Sequence, residues 1–194
     1  MILTGKEDLR VIKTIEAIKS SFETLICEKD YEKITVKELC DRARINKKTF
    51  YNYYQTLDDL LSEMQMELSQ GYIDRVKDYV LPDDLEKVNR EFFLFSEQQG
   101  TAYEKITTSG NYEYVRERMI SKVMNETWKK SERFNRLSSL EQKIILSYIN
   151  TTTVEIYRLW TENSKKPPLE EIIALCNHLV CGGTKAFFER KTDL

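Results

Sequence analysis

The sequence predicts an all-α fold, and three observations support this prediction. Only three prolines and six glycines, the residues that most often interrupt helices, occur in 194 residues. Apolar residues recur at intervals of three and four along charged stretches, which is the pattern of amphipathic helices. The chain is 41% apolar and 11% aromatic, which is sufficient for a packed core, so we expect a folded chain rather than a disordered one.

The first two helices are predicted from an apolar stripe and a cap. One helix extends from about Lys6 to Lys29, and a shorter one extends from about Val36 to Ala43. Thr35 and Glu38 have the spacing of a capping box, in which each side chain bonds the backbone amide of the other residue. The stripe of the first helix consists of Ile12, Ile15, Ile18, Phe22, Leu25 and Ile26.

The third helix follows a three-residue corner, Arg44-Ile45-Asn46. Asn46 is a favourable N-cap for a helix from about Lys47 to Tyr54. Ile45 before this cap and Phe50 within the helix match a hydrophobic staple, which fixes the direction in which the chain enters the helix. Two short capped helices joined by such a corner, the second beginning with two lysines, predict a helix-turn-helix whose second helix lies in a DNA major groove.

The rest of the chain keeps the helical periodicity, which gives about nine helices in all. The fourth helix is capped at Thr56 and ends near Val80, before Pro82, and a second capping box from Ser139 to Gln142 opens a later helix. The helices after the fourth are predicted at about Asp83–Gln99, Thr101–Thr107, Asn111–Lys130, Ser139–Asn163 and Leu169–Arg190.

Charge is distributed unevenly along the chain. The formal net charge is −2, but between Lys33 and Tyr54 six cations face two anions, which gives this segment +4 and leaves −6 for the other residues. A basic segment in an acidic chain favours contact with phosphates at one end of the molecule only. The cations are Lys33, Lys37, Arg42, Arg44, Lys47 and Lys48, and the anions are Glu38 and Asp41.

Catalytic and metal-binding patterns are poorly represented. The chain has one histidine, His178. This is too few for a multi-histidine metal site, and it leaves a single candidate for the histidine of a Ser-His-Asp triad. Cys176 and Cys181 are near it in sequence, but on a helix His178 points about 200° away from Cys176. No glycine-rich phosphate loop occurs. We therefore expect no catalytic site, no metal and no cofactor, and a protein that is not an enzyme.

The termini and the cysteines predict a cytoplasmic protein without a membrane segment. The N-terminal residues are charged, unlike a secretory signal, and no stretch approaches the roughly 18 apolar residues that span a bilayer. The cysteines occupy apolar helical positions, which indicates reduced thiols rather than a disulfide framework. They are Cys27, Cys40, Cys176 and Cys181.

The segment from about Ile15 to Leu61 resembles the DNA-binding head of the TetR/AcrR family of repressors. The matching stretch, ITVKELCDRARINKKTFYNYYQTLDDLL, runs from Ile34 to Leu61. The resemblance implies a three-helix, helix-turn-helix DNA-binding head in residues 1–55 and a helical ligand-binding and dimerisation domain in residues 56–194. The positions that match the family pattern are Thr35, Leu39, Ala43, Ile45, Lys47, Thr49, Phe50, Tyr51, Tyr54, Thr56 and Leu60.

Carried over by position, the resemblance implies which residues contact double-stranded DNA. Lys47 and Lys48 supply positive charge to base edges or phosphates, and Thr35 holds a phosphate. Tyr51 and Tyr53 offer hydroxyl groups to phosphates and ring faces to thymine methyl groups. The full predicted set is Thr35, Lys37, Arg44, Lys47, Lys48, Thr49, Tyr51 and Tyr53.

Departures from the family pattern bear on this set. Arg44 stands where the corner usually has glycine, so a positive φ at this residue costs about 1 kcal/mol. Leu57 stands where a lysine that binds phosphate is common. We expect Lys48 or Arg44 to supply that charge instead.

The end of the chain looks like the dimerising part of the same family. Ser147–Asn163 is similar to a penultimate helix that forms, with the last helix, a four-helix bundle with a second subunit. This implies a homodimer whose recognition helices, about 34 Å apart, read a palindromic operator. The predicted seam contains Ile145, Ile149, Thr152, Ile156, Leu159, Ile173, Leu179, Val180 and Gly183.

Aromatic residues are frequent in the predicted body, and small-molecule sites are mostly apolar with a few polar anchors. We name Phe92, Tyr112 and Trp128 as candidates for binding a small-molecule effector; ordinary core packing is the alternative for each.

Two functions from different classes fit the sequence. The first is a dimeric transcriptional regulator, a repressor released from its operator by a small molecule, although the family also contains activators. The second is a helical interaction protein that kept the fold and binds a protein partner, an alternative that Leu57 motivates. The +4 segment favours the first.

Overall fold

The computed structural model describes residues 8–108 and 113–189, and within these ranges it contains ten α-helices and no strand. The helices are α1 (Leu9–Glu28), α2 (Val36–Ala43), α3 (Lys47–Tyr51), α4 (Leu57–Val76), α5 (Leu85–Glu97), α6 (Thr101–Thr108), α7 (Glu113–Thr127), α8 (Glu132–Asn135), α9 (Ser139–Glu162) and α10 (Leu169–Glu189), with short 3-10 turns at Tyr31–Lys33 and Trp128–Lys130. The all-α prediction is confirmed. The additional helix is α8, whose four residues are too few to show a periodicity.

The N-caps of α2 and α3 agree only in part with those predicted from the sequence. Thr35 Oγ1 accepts the amide of Glu38 at 3.2 Å, and Asn46 Oδ1 accepts the amide of Thr49 at 2.8 Å, as predicted. The carboxylate of Glu38, however, binds Lys29 Nζ at 2.6 Å. The predicted capping box at Thr35 is therefore only half formed, because an ion pair with a residue at the end of α1 competes for the carboxylate.

The cap of α9 lies one residue earlier than predicted. Ser138 Oγ accepts the amide of Glu141 at 3.3 Å, and Glu141 Oε2 accepts the amide of Ser138 at 2.9 Å. The predicted box from Ser139 to Gln142 is therefore wrong. Leu137, which precedes the true cap, is buried, and Gln142 donates its side-chain amide to the Leu137 carbonyl at 3.2 Å.

Helices α3 and α4 both end earlier than predicted. α4 stops at Val76 instead of near Val80, because the amide of Val80 bonds Asp84 Oδ2 at 2.8 Å and so no longer needs a helical carbonyl. α3 stops at Tyr51, although the amide of Tyr54 still bonds the carbonyl of Phe50 at 3.0 Å.

Two hydrophobic clusters organise the helices. The head cluster consists of buried residues from α1, α2, α3 and the first half of α4, together with Ile106 of α6. The body cluster unites the end of α4 with α5, α9, α10 and the region of Trp128. Leu60, Leu61 and Met64 of α4 pack in the head cluster although they follow the domain boundary that we predict at residue 55. That boundary stays a prediction. No helix in the described ranges is both long and apolar enough to cross a bilayer.

The predicted dimer seam contains residues that the protomer buries in its own core. Ile145, Ile149, Ile173 and Val180 are at most 3% exposed, so this part of the prediction is wrong. Helical periodicity does not reveal which of two apolar faces packs inside the protomer. The exposed apolar side chains of the last two helices are Leu140, Ile144, Tyr148 and Leu159 on α9 and Leu175 and Leu179 on α10.

Gly183 allows α9 to approach α10 closely within the same chain. A Cβ atom at this position would lie 2.5 Å from the hydroxyl oxygen of Tyr148. That hydroxyl donates a hydrogen bond to the Leu179 carbonyl at 2.7 Å. The glycine therefore accommodates a contact inside the protomer.

The corner between α2 and α3 depends on a left-handed residue. Arg44 has φ 55° and ψ 42°, and the amide of the following Ile45 bonds the carbonyl of Cys40 at 3.0 Å. This confirms the positive φ expected where the family pattern has glycine. A side chain with a Cβ atom is strained in this region by roughly 1–2 kcal/mol.

Replacing Arg44 with glycine is expected to raise the free energy of unfolding by about 1 kcal/mol, because glycine adopts a positive φ without this strain. Urea unfolding followed by circular dichroism measures the change. Arg44→Lys keeps both the strain and the charge and serves as the control, with unchanged stability. A glycine variant that is less stable than the lysine variant would contradict the assignment of strain.

Candidate nucleic-acid interface

Helix α3, the second helix of the helix-turn-helix, is anchored on one side only. Phe50 is fully buried, Tyr54 just after the helix is 2% exposed, and their ring centroids lie 5.8 Å apart. On the other side Lys47 and Lys48 are exposed, and Tyr51 is 54% exposed. The helix therefore presents two lysines and an aromatic ring to solvent from a fixed base.

A buried carboxylate fixes the end of this helix to its neighbours. Tyr54 Oη donates to Glu63 Oε1 of α4 at 3.0 Å, and Lys19 Nζ of α1 lies 3.2 Å from the same oxygen. Lys19 also pairs with Glu67 at 2.6 Å. Burial raises the pKa of Tyr54 to about 12, so the hydroxyl is a neutral donor near pH 7. These contacts join α1, α3 and α4 around one charge.

The predicted DNA contacts fall on the outside of the head with two qualifications. Thr49 is half-buried, and its hydroxyl donates to Asn46 Oδ1 at 3.0 Å, so it also serves the cap. Tyr53 is half-buried and packs against the head cluster. The exposed members of the set are Thr35, Lys37, Arg44, Lys47, Lys48 and Tyr51.

Ion pairing divides the cations of the basic segment into two groups. Arg42 makes a bidentate pair with Glu28 at 2.6 and 2.7 Å, and Lys33 pairs with Asp30 at 3.0 Å. The remaining four make no ion pair within the described part of the chain. They are Lys37, Arg44, Lys47 and Lys48, all of them in the predicted contact set. Their charge is available to an external anion.

The sequence pattern does not single out Glu63. Its side chain contacts no external molecule in our interpretation, but it holds the recognition helix in place through Tyr54. The available signal is an acidic residue among the apolar positions Leu60, Leu61 and Met64 of α4. A partner such as Lys19, 44 positions earlier in the sequence, cannot be read from that signal.

A cavity of about 90 Å³ lies in the body, and Phe92 and Trp128 line it. Its walls come mainly from α4, α5, α6, α7 and α9. Tyr112, the third candidate for effector binding, lies outside the described residues. Among the described residues, no three histidine, cysteine, aspartate or glutamate side chains are grouped so that they could hold a metal ion.

Comparison with known proteins agrees with the geometry of the head. Residues 23–64, from the second half of α1 to the first half of α4, match the family model of bacterial regulatory proteins of the tetR family. The chain is therefore similar to the tetR family in this segment. Its helix-turn-helix is the part of the chain that the family model covers.

A curated relative is similar to part of the chain, and solved structures share its fold. The chain is 33% identical over 70 residues to the uncharacterized HTH-type transcriptional regulator YxbF of Bacillus subtilis (strain 168), a match over 36% of this chain but only 18% of that protein's length. A TetR transcriptional regulator from Streptococcus agalactiae 2603V superimposes with a TM-score of 0.70 at 20% identity, covering 88% of this chain and 95% of that one. The dihydroxyacetone kinase operon activator DhaS gives a TM-score of 0.53 at 23% identity, with 89% and 97% covered. The two structural matches show that the fold extends through the body.

Removing the Tyr54 hydroxyl tests the anchoring of the TetR-type recognition helix. Tyr54→Phe is expected to lower the free energy of unfolding by about 1.5–3 kcal/mol, the usual contribution of a hydrogen bond to a charged group. Chemical denaturation measures the loss. Tyr51→Phe removes an exposed hydroxyl on the same helix and should leave stability unchanged; equal effects of the two substitutions would show that Glu63 does not anchor α3.

Proposed function

We propose that the chain is a sequence-specific DNA-binding transcriptional regulator. It acts as a homodimeric repressor and leaves its operator when a small molecule binds the body. The observation that carries the proposal is the set of unpaired cations, Lys37, Arg44, Lys47 and Lys48, on the exposed side of an anchored helix-turn-helix. The match of residues 23–64 to the tetR family model supports it, because the second helix of a helix-turn-helix is the one that reads a major groove.

The chemistry of the exposed residues supports roles in base and phosphate contact. Lys47 and Lys48 in the first turn of α3 reach base edges or phosphates, and the Tyr51 ring contacts thymine methyl groups. Thr35 and Lys37 at the start of α2, with Arg44 at the corner, bind the phosphates that flank the groove. Leu57 carries no charge, although the family pattern commonly has a phosphate-binding lysine at this position. In this arrangement the unpaired guanidinium group of Arg44 supplies the positive charge instead.

Dimerisation is supported by the apolar surface of α9 and α10. Exposed apolar patches that are large and continuous mark interaction sites in soluble proteins. Leu175 and Leu179 lie one helical turn apart on α10, and both are about half exposed. A second copy that covers this face also covers Ile144 and Tyr148 of α9, which brings two helix-turn-helix heads into one particle.

Coupling between the body and the head is supported by α6. Ile106 lines the cavity and is also part of the head cluster. Its neighbour Lys105 donates from Nζ to the carbonyl of Lys29 at 2.9 Å, at the end of α1. A molecule that displaces α6 therefore also acts on α1. Binding of this molecule then favours dimers whose recognition helices have a spacing that does not fit the operator.

Substituting Lys47 and Lys48 together with alanine is expected to lower affinity for DNA from upstream of the chain's own gene at least tenfold. The dependence of binding on salt should also fall by about one unit for each lysine that binds a phosphate in the wild-type complex. Gel shifts at several salt concentrations measure both effects. The matched control is Lys129→Ala with Lys130→Ala, which removes two adjacent lysines from the body and should leave binding unchanged.

Binding that persists in the Lys47 and Lys48 variant would place the DNA contacts elsewhere. A wild-type chain that binds no DNA but retains a protein partner on an affinity column would instead favour the interaction-protein alternative. DhaS, which shares the fold, is named an operon activator. A reporter fused to the same upstream DNA therefore tests whether the chain represses or activates transcription. Deleting the gene should raise transcription of that reporter, and a fall would indicate an activator.

Substituting Leu179 with aspartate is expected to convert the dimer into a monomer, because two charges would then be buried without partners at the interface. Analytical ultracentrifugation measures the mass of the particle. Val80→Asp alters another exposed apolar residue, 62% exposed and outside α9 and α10, and should leave the dimer intact. A Leu179 variant that stays dimeric would move the interface to another face.

A further inference from the structure

We infer that Lys165 is a positioning residue for DNA binding: it joins α5 and α6 to the turn between α9 and α10, and so holds α6 in the arrangement in which the head binds its operator. The inference rests on the proposed function, since it adds a determinant to the response that passes through α6. It is carried by one ammonium group that bridges two helices, and by the turn that holds this group in place.

A single ammonium group pairs with carboxylates from two helices. Lys165 Nζ lies 3.2 Å from Glu97 Oε2 at the end of α5 and 3.0 Å from Glu104 Oε2 in the first turn of α6. The three side chains are between 30% and 38% exposed, so the group is partly shielded from water. Isolated ion pairs at the surface contribute little to stability, whereas several charges that form a network contribute more.

Without the ammonium group, the two carboxylates repel each other. Both have an oxygen within 3.2 Å of the same nitrogen atom, and among the described residues neither pairs with another cation. Repulsion between like charges at such short range acts on the corner between α5 and α6, where a short segment that ends in Gly100 connects the helices. The bridge therefore holds the first turn of α6 against the end of α5.

The turn that carries Lys165 has a defined backbone. The amides of Ser164 and Lys165 bond the carbonyls of Thr161 and Trp160 at 3.1 and 2.9 Å, which is the pattern of a Schellman motif at the end of α9. This motif usually has glycine in the left-handed region, but here Ser164 and Lys165 both have φ 56°. Strain of this kind persists where the surrounding structure determines the conformation, and it is concentrated at functional sites. The turn therefore fixes the direction in which the Lys165 side chain leaves the backbone.

The indole ring of Trp160 supports both the turn and the ammonium group. Trp160 is 4% exposed, and its Nε1 donates to the Pro167 carbonyl on the far side of the turn at 2.7 Å. Lys165 Nζ lies 5.8 Å from the centroid of the same ring. Because the face of a tryptophan ring attracts a cation at this distance, the ring adds to the hold of the two carboxylates on the ammonium group.

Helix α6 connects this bridge to the head. Glu104 pairs with Lys165, and the next residue, Lys105, donates to the Lys29 carbonyl at 2.9 Å at the end of α1. The turn on the other side of the bridge joins α9 and α10, the two helices that we propose to dimerise. With α6 fixed between that turn and α1, the geometry of the dimer sets the orientation of the head. Loss of the bridge releases α6, and fewer dimers then have the spacing that the operator requires.

Lys165→Met tests the bridge, because methionine removes the charge but keeps a long side chain and the Cβ atom, so the backbone strain is unchanged. We expect affinity for the upstream DNA to fall about threefold or more in gel shifts, and amide hydrogen exchange in α6 to become faster by a similar factor. Lys165→Arg keeps the charge and should behave like the wild type. The matched control is Lys166→Met, at an exposed lysine that makes no ion pair in the described part of the chain, and it should change neither measurement.

An exchange of charges separates positioning from general stability. Lys165→Glu and Glu104→Lys should each weaken DNA binding, and the double variant should recover most of the affinity, because opposite charges then face each other again. Unchanged affinity in Lys165→Met, or affinity that the double variant does not recover, overturns the inference. It is also overturned if Lys165→Met speeds exchange equally in all helices, or if the variant is a smaller particle than the wild type in the ultracentrifuge. Lys165 would then act on the fold as a whole or on the dimer, and not on α6.

The two measurements keep this inference separate from the proposed function. A chain that binds its upstream DNA equally well with Lys165 and with methionine at this position would retain the proposed DNA-binding role and lose the role of Lys165. A chain that binds no DNA, but whose α6 exchanges faster in Lys165→Met, would retain the bridge and lose the proposed function.

Discussion

The helix α4 belongs to both hydrophobic clusters, and the organisation of the chain depends on this. Leu60, Leu61 and Met64 pack in the head, whereas Val76 packs in the body. A helix of 20 residues is about 30 Å long and behaves as a rod. The orientation of the helix-turn-helix therefore follows the packing of the body. With α6 touching the end of α1, the head has two mechanical connections to the cavity, and neither passes through a flexible linker.

Rigidity within the head complements these connections. Glu63 is buried, but its charge is shared with Tyr54 and Lys19, so the cost of burying a carboxylate is offset by a hydrogen bond and an ion pair. In the proposed mechanism, a recognition helix that moved independently of α4 would not transmit a change in the body to DNA. The shared carboxylate links α1, α4 and the residue that follows α3. The proposed change in the spacing of two heads requires a head connected in this way.

The sequence predicts local features well and long-range partners poorly. The N-caps at Thr35 and Asn46 are determined by residues within a few positions, whereas the positive φ at Arg44 is expected from the family pattern; all three are confirmed. The capping pattern predicts that Glu38 caps its own helix, but Lys29 on another element takes its carboxylate. The predicted seam is wrong at Ile145 because α9 has apolar residues on more than one face, and periodicity alone does not say which face another helix of the same chain covers. The predicted DNA contacts are carried over by position from the family pattern, and the structure adds which cations are unpaired.

Arg44 combines backbone strain with an available positive charge at the corner of the helix-turn-helix. The left-handed conformation at the corner is most easily met by glycine, and a residue with a Cβ atom is destabilised there by about 1 kcal/mol. Such strain persists when another interaction offsets it, and its usual place is a functional site. The amide of Ile45 bonds the Cys40 carbonyl at 3.0 Å, which offsets part of this strain within the protomer. The guanidinium group makes no ion pair or side-chain hydrogen bond in the described part of the chain. In the proposed function, this charge and three other unpaired cations favour an anionic partner such as the DNA backbone.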